Sequence, residues 1–195
     1  MNSKVVKTFL FSFFGLGLIL VGMIIVKPLI KDYEELHRYD FYLDTLDRPI
    51  SLPTFKGKTV ALYFGYMYCP DVCPTSLSKL SQALQELSSE EQKNFQGIFV
   101  SVDPDRDSLK MIKDYSLYFH ENFIGATSKS KEYLHGLVKR YGGSFRKVKL
   151  EGSEMGYSVN HTSEIYFFDK EGKFSGKIPH LAKHEDIVKA LKKAL

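Results

Sequence analysis

Residues 60–74 read VALYFGYMYCPDVCP, and this stretch contains a change from strand to helix. Its first seven residues are aromatic, aliphatic or glycine, which is typical of a strand buried on both faces. Beyond Pro74, leucines recur at intervals of three and four residues, which predicts the apolar face of a helix. These leucines are Leu77, Leu80, Leu84 and Leu87. A buried strand that leads directly into an amphipathic helix indicates an α/β fold.

The only two cysteines of the chain, Cys69 and Cys73, lie in the turn between this strand and this helix. The free N–H groups at a helix start stabilise a thiolate and lower its pKa below the usual value of about 8.5. Two side chains four residues apart face each other across one helical turn. The pair can therefore close a disulfide or bind one soft metal ion. The alternative is a pair of buried, unreactive cysteines that pack as small apolar side chains.

The remaining pattern predicts further alternation of strands and helices. Strands are expected at 50–52, 59–66, 97–102 and 145–150, and a hairpin at 163–168 and 173–178. Helices are expected at 74–88, 106–119, 130–141 and 183–194, and residues 157–163 are expected to form a loop. The predicted fold is α/β with a central mixed sheet and flanking helices. Cysteines at the turn from the first core strand to its helix are typical of thioredoxin-like domains, although Cys-x-x-x-Cys has one residue more than the usual redox motif.

The N-terminal segment has a different composition from the rest of the chain. Residues 8–26 carry no charge, and 19 residues in a helix span about 28 Å, close to the thickness of the bilayer core. No small-residue cleavage pattern follows them, which predicts an uncleaved transmembrane signal anchor. We expect residues 1–7 to be a short cytoplasmic N-terminus, residues 27–40 a stalk and residues 41–195 the folded domain. Lysines flank both ends of the span, so the positive-inside rule does not decide its orientation.

The charge pattern gives no sign of nucleic-acid binding. The chain has 27 Lys and Arg against 23 Asp and Glu, and no basic stripe with interleaved aromatic residues occurs. Five of the six histidines lie among polar residues or beside predicted helices and are interpreted as solvated side chains. His161 differs, because it precedes a predicted core strand that should return beside residues 59–66. The histidine follows Cys73 by 88 positions, so only the fold can bring the two together.

Four segments resemble the Sco/SenC family of copper-delivery proteins. They are residues 64–74 (FGYMYCPDVCP), 99–107 (FVSVDPDRD), 157–163 (YSVNHTS) and 55–58 (FKGK). The resemblance covers about residues 41–178 and implies a thioredoxin-like fold with copper bound by Cys69, Cys73 and His161. It also implies delivery to the binuclear copper site of cytochrome c oxidase. Many members have Thr at the position of Met67 and Asp at that of Asn160, and neither position is a ligand in the family pattern.

The ligand chemistry agrees with this resemblance. Thiolates are soft ligands that favour Cu(I), and imidazole also binds copper. The second oxidation state considered for copper bound by the same three residues is Cu(II). A structural zinc ion needs four ligands, and the sequence offers no evident fourth. Asp103, at the end of a predicted buried strand, has two interpretations: it orients a ligand from outside the metal site, or it caps the helix predicted from 106.

Two functions of different kinds are consistent with these residues. In the first, the protein is a copper metallochaperone and not an enzyme, and its partners are the copper-site subunit of cytochrome c oxidase and a thiol reductant or another copper chaperone. In the second, it is a thiol–disulfide oxidoreductase whose Cys69–Cys73 disulfide keeps a partner's copper-binding cysteines reduced. Residues 157–163 contain no proline, whereas thioredoxins place a cis-proline opposite their cysteines. The first function places the protein in the bacterial inner membrane with the domain facing the periplasm.

Overall fold

The computed structural model describes residues 13–15 and 21–195. The chain divides into two compact units, Met1–Arg38 and Tyr39–Leu195. In the first unit, helix α1 (Lys27–His37) follows a π-helical turn at Gly22–Val26, so the predicted stalk contains a helix. Most of the predicted span at 8–26 lies outside the described residues. Among the described residues no helix is long and apolar enough to cross a membrane, so the anchor stays a prediction.

The second unit contains nine strands in three sheets. β1 (Tyr42–Leu43) pairs with β2 (Ile50–Ser51), and β6 (Phe145–Lys149) pairs with β7 (Tyr157–His161). The main sheet consists of β3 (Thr59–Gly65), β4 (Phe95–Ser101), β5 (Phe123–Ala126), β8 (Glu164–Phe168) and β9 (Phe174–Pro179). Its strand order is β5-β4-β3-β8-β9. Strands β3, β4 and β5 are parallel, whereas β8 pairs antiparallel with β3 and β9 pairs antiparallel with β8, which confirms the predicted mixed sheet.

Five helices accompany these strands. They are α2 (Val72–Gln85), α3 (Ser89–Lys93), α4 (Leu109–Phe119), α5 (Lys131–Arg140) and α6 (His184–Ala194). All of them except the short α3 bury residues in the hydrophobic core. Three of the four leucines that predicted the apolar face of α2 lie in this helix and are at most 2% exposed, whereas Leu87 follows the end of the helix and is 5% exposed. The helix begins two residues earlier than predicted, and Pro74 therefore lies in its first turn, where a missing N–H costs nothing.

Helix α4 starts three residues later than the predicted position 106. Residues 103–107 instead form a turn in which the N–H groups of Arg106 and Asp107 both donate to the carbonyl of Asp103, at 3.1 and 3.0 Å. Ser108 then caps the helix, because its Oγ accepts a hydrogen bond from the N–H of Met111. The interpretation of Asp103 as the helix cap is therefore wrong.

The prediction of a loop at 157–163 is also wrong over most of that range. Tyr157–His161 is strand β7, and it pairs antiparallel with β6 in a register that places His161 opposite Phe145. Pairing with β6 satisfies backbone groups that a loop would have to expose to water. The expected location of His161 is nevertheless right, because β8 begins three residues later and pairs with β3.

Gly125 in β5 marks a close contact between sheet and helix. A Cβ atom at this position would lie 2.3 Å from the carbonyl oxygen of Ile112 in α4. Real Cβ atoms do not approach a backbone oxygen so closely, so either the helix or the strand would have to move. Only glycine allows α4 to pack on β5 at this distance.

We expect Gly125→Ala to lower the free energy of unfolding by about 1–3 kcal/mol or more, the usual cost of overpacking a core. Gly136→Ala is the matched control, because a Cβ there meets nothing within 4 Å. Gly136 lies inside α5, where alanine is favoured over glycine by about 0.5–1 kcal/mol. Denaturant unfolding measures both variants, and equal stabilities would contradict the close packing of α4 on β5.

Candidate metal centre

The two cysteines lie where β3 ends and α2 begins. Cys69 is half-buried in the turn before the helix, whereas Cys73 is the second residue of the helix and is fully buried. The backbone N–H of Cys73 donates to the Sγ atom of Cys69 over 3.4 Å. Both cysteines are free thiols. A backbone N–H group at the helix start thus donates to the sulfur of Cys69, the more exposed of the two. The position of the cysteines at a predicted helix start had indicated such an interaction.

The buried sulfur packs directly against the end of β3. A Cβ on Gly65 would lie 2.8 Å from Cys73 Sγ and 2.8 Å from Cε2 of Phe99. Any larger residue would therefore displace the sulfur or the ring. The glycine in the quoted motif allows the sulfur to approach the sheet, and this role was not predicted from the sequence.

His161 approaches the same sulfur from the other side. It is the last residue of β7, and its Nε2 atom lies 3.3 Å from Cys73 Sγ. Its Nδ1 atom lies 3.1 Å from the carbonyl oxygen of Thr162, which can only accept, so Nδ1 carries the proton. In neutral imidazole the other nitrogen then has a free lone pair. This lone pair belongs to Nε2, the atom that faces the cysteine.

The predicted ligand atoms converge. One ligand atom from each of Cys69, Cys73 and His161 lies within 4.8 Å of the other two. No other group of three or more His, Cys, Asp or Glu in residues 13–15 and 21–195 has the arrangement needed to hold a metal ion. Two sulfurs and an imidazole nitrogen at this spacing fit a soft cation, and the arrangement matches the preference of Cu(I) for thiolate and imidazole ligands.

The two thiols differ in acidity. The adjacent Cys73 side chain holds the pKa of Cys69 well below its ordinary value, and backbone N–H groups at the helix start lower it further. Burial raises the pKa of Cys73, and the adjacent Cys69 raises it again. Without metal, the pair therefore favours a thiolate at the half-buried Cys69 and a protonated thiol at the buried Cys73.

The other candidate side chains have roles outside this group. Asp103 is fully buried and accepts hydrogen bonds from Arg106 Nε at 2.6 Å and from the Tyr157 hydroxyl at 2.8 Å. Met67 is half-buried against the core, and its N–H donates to Asp107 Oδ2 at 3.0 Å. Arg106 and Asp107 were not among the predicted site residues, although they belong to the same charged segment as Asp103.

The remaining histidines of the second unit have other neighbours. His135 stacks on Phe145 with ring centroids 4.0 Å apart, and His184 is bonded to Glu86. His120 accepts a hydrogen bond from the N–H of Asn122 through Nδ1. None of them belongs to the group of possible metal ligands in the described part of the chain.

Comparison with known proteins identifies the family. The sequence model of the SCO1/SenC family matches residues 31–195. Copper-bound ScoI from Arabidopsis thaliana superimposes with a TM-score of 0.71 at 28% identity, covering 79% of this chain and 95% of that one. Apo Sco1 from Thermus thermophilus gives a TM-score of 0.71 at 34% identity, with 80% and 91% covered. A human protein, the mitochondrial SCO2 homolog, is 33% identical over 141 residues, which are 70% of this chain and 51% of that protein.

The matched part spans 65%, 57% and 42% of the length of three further relatives, from Stutzerimonas stutzeri, Rickettsia felis and Saccharomyces cerevisiae. The family model, in contrast, covers most of this chain, including β3, α2 and β7. The matched region thus contains the mixed sheet, the segment with the two cysteines and the segment with His161. The chain belongs to the SCO1/SenC family.

Proposed function

We propose that this protein is a copper metallochaperone that binds copper through Cys69, Cys73 and His161. The observation that carries the proposal is the convergence of two sulfurs and one imidazole nitrogen within 4.8 Å. Its recipient, on this proposal, is the binuclear copper site of cytochrome c oxidase during assembly. Copper is cargo here, and a relative of the same family, the Arabidopsis protein, has been solved with copper bound.

Copper binding releases one proton from the site. Cys69 is already a thiolate, because its lowered pKa keeps it ionised at neutral pH. Cys73 loses its proton only as the cation arrives, since a metal ion stabilises the thiolate that burial disfavours. His161 presents the Nε2 lone pair, because its Nδ1–H is held by the Thr162 carbonyl. The protein thus supplies two sulfur ligands and one nitrogen ligand at the release of one proton.

Transfer begins at the exposed side of the site. Cys73 is fully buried, whereas Cys69 is half-buried and reachable from solvent. A three-coordinate Cu(I) ion has room for a further ligand. A partner's thiolate or imidazole therefore approaches beside Cys69 and displaces it first, while Cys73 holds the ion. The recipient on this proposal is the copper-site subunit of the oxidase, and a thiol reductant or another copper chaperone acts upstream.

We expect a copper titration of the reduced protein to give one equivalent bound, and His161→Ala to weaken the affinity at least about tenfold. Loss of a group that merely supports a ligand already costs about 10–100-fold in metal affinity. Cys69→Ser should abolish tight Cu(I) binding. Competition with a chromogenic Cu(I) chelator measures the dissociation constants.

The matched control for this titration is His120→Ala, which also removes one imidazole but outside the candidate centre. Its copper affinity should stay within about twofold of the unmodified protein, since it contributes no ligand. An unchanged affinity in His161→Ala would show that the proposed ligand set is wrong.

The location follows from the proposed partner. We place residues 8–26 across the bacterial inner membrane and the domain from Asp40 onward in the periplasm, where the copper site of the oxidase is assembled. The uncharged run of 19 residues supports the span.

Protease added to intact spheroplasts should digest the domain, because on this orientation it is exposed outside the cytoplasmic membrane. Immunoblotting of the domain before and after detergent lysis measures the protection. Protection that lasts until lysis would reverse the orientation.

A thiol–disulfide oxidoreductase is the second candidate. The observation in its favour is the pair of adjacent free cysteines, of which Cys69 accepts a hydrogen bond from the Cys73 backbone N–H and has a lowered pKa. A low-pKa thiolate beside a second thiol is the arrangement that attacks and resolves disulfides. In this function both cysteines are essential and His161 is dispensable, so the His161→Ala variant separates the two candidates.

Oxidation should abolish tight Cu(I) binding, because a Cys69–Cys73 disulfide removes both soft ligands and leaves only His161. Adding a thiol reductant should restore the full stoichiometry. The measurement is a Cu(I) titration of the protein before oxidation, after oxidation and after the thiol reductant is added. Equal affinity of the oxidised and reduced protein would exclude the sulfurs as ligands.

A further inference from the structure

The three candidate ligands come from two parts of the fold that belong to different β-sheets. Cys69 and Cys73 follow β3 of the five-stranded sheet, whereas His161 ends β7, which pairs with β6 in a separate sheet. Beyond His161 the chain enters β8, which ties the C-terminal end of β7 to the main sheet, and Val159 in the middle of β7 is buried in the core. The contacts made by the start of β7 also bear on the direction of the imidazole.

One short turn contacts both of these parts. Residues 103–107, here called the connecting turn, lie directly after β4 and are closed by two hydrogen bonds to the carbonyl of Asp103. The side chains of Asp103 and Asp107 are 0% and 1% exposed. Two buried carboxylates in one turn are costly unless hydrogen bonds compensate them, so the bonds they accept indicate what the turn holds. Asp103 accepts through both of its oxygens, whereas Asp107 accepts through Oδ2 alone.

Asp107 binds the segment that carries the cysteines. Its Oδ2 atom accepts a hydrogen bond from the backbone N–H of Met67 at 3.0 Å and another from the Ser101 hydroxyl at 2.6 Å. Met67 is two residues before Cys69. The carboxylate therefore anchors the start of the cysteine turn to the end of β4.

Arg106 binds the strand that carries the histidine. Its Nη1 atom donates to the carbonyls of Met155 and Tyr157, at 3.1 and 2.9 Å, and so holds the start of β7. The guanidinium lies 3.7 Å from the centre of the Tyr157 ring. The guanidinium bonds both carbonyls through Nη1 and Asp103 through Nε while it lies over an aromatic ring, a geometry that arginine makes and lysine does not.

Asp103 completes the connection. It holds Arg106 through Nε at 2.6 Å and receives the Tyr157 hydroxyl at 2.8 Å. Lys147 of β6 lies 3.2 Å from the same carboxylate and donates to the Tyr157 hydroxyl at 2.9 Å. Both strands, β6 and β7, are thus bonded to the connecting turn: β7 at its first residue, Tyr157, and β6 at its middle residue, Lys147.

We propose that Arg106 is a positioning residue for His161, and that the connecting turn holds the histidine strand and the cysteine turn in one fixed relation. The inference rests on the proposed function, in which His161 binds copper. Fixing β7 at Tyr157, four residues before His161, while β8 fixes the other end, leaves the imidazole one direction, toward Cys73. Arg106 acts through the strand and does not bind the metal.

The test is a double-mutant cycle of Arg106→Lys and His161→Ala, read as Cu(I) dissociation constants of the reduced full chain. Arg106→Lys should weaken binding about tenfold when His161 is present, as for other groups that orient a metal ligand. In the His161→Ala background the same change should alter binding by less than about twofold, because no imidazole is left to position. Equal losses in both backgrounds, or no loss in either, would overturn the proposal.

Two further variants keep the test specific. Tyr157→Phe removes only the hydroxyl bonded to Asp103 and should give a smaller effect in the same direction, which covers the case in which Arg106→Lys does not fold. Lys113→Gln removes a cation that pairs with the exposed Asp47, and it should leave copper binding unchanged. A loss in Lys113→Gln equal to that in Arg106→Lys would show that the effect is not specific to the connecting turn.

A metal-free measurement separates this proposal from the proposed function. Hydrogen exchange of the Tyr157–His161 amides should be faster in Arg106→Lys and unchanged in Lys113→Gln. If His161→Ala does not affect copper binding but exchange in β7 is faster, the ligand set is wrong and the connecting turn keeps its role. If exchange in β7 is unchanged, the proposal falls whatever copper binding shows.

Discussion

The contact on which the site depends is the burial of the Cys73 sulfur against the end of β3. This sulfur occupies space that a side chain on Gly65 would fill, and it lies 3.3 Å from the imidazole of His161. Burial raises the pKa of Cys73, so this thiol tends to keep its proton, and its proximity lowers the pKa of Cys69. The acidity of Cys69 thus depends on how Cys73 is packed.

On the proposed function, this dependence makes metal binding and disulfide formation mutually exclusive at the site. Both need the same two sulfurs, and both begin with the Cys69 thiolate. A disulfide removes the soft ligands, whereas a bound Cu(I) ion occupies the thiolates that would otherwise attack a disulfide. A second function in thiol exchange is therefore compatible with copper delivery only when the two alternate in time. His161 distinguishes them, since it adds a ligand for the metal and nothing to the exchange of sulfurs.

Local sequence patterns predicted most of the fold. The run of apolar residues before Cys69 and the leucine spacing after Pro74 identified β3 and α2, and the hairpin of β8 and β9 followed from two alternating runs around Gly172. His161 could not be found from spacing, because the contact with Cys73 crosses 88 positions, and the family resemblance supplied it. Strand β7 was missed because its polar, partly exposed residues become a strand only through pairing with β6.

The charged segment after β4 shows the limit of such patterns most clearly. Asp, Pro and Arg in succession are typical of an exposed turn, yet the carboxylates of Asp103 and Asp107 are buried. Their burial depends on partners 40 or more positions away, Met67 on one side and Tyr157 on the other. No local rule predicts bonds at such separations. The buried charges connect the two parts of the site.

The division of the ligands between two sheets has a consequence for transfer. The sulfurs belong to a turn whose start is anchored by Asp107, so they present a soft pair whatever the histidine does. The imidazole belongs to a separate hairpin, and its place depends on Arg106 and on the entry into β8. A small movement of that hairpin would withdraw one ligand and leave the ion on two thiolates. An ion held in this way exchanges with an incoming ligand more readily than one enclosed by four ligands from a single rigid element.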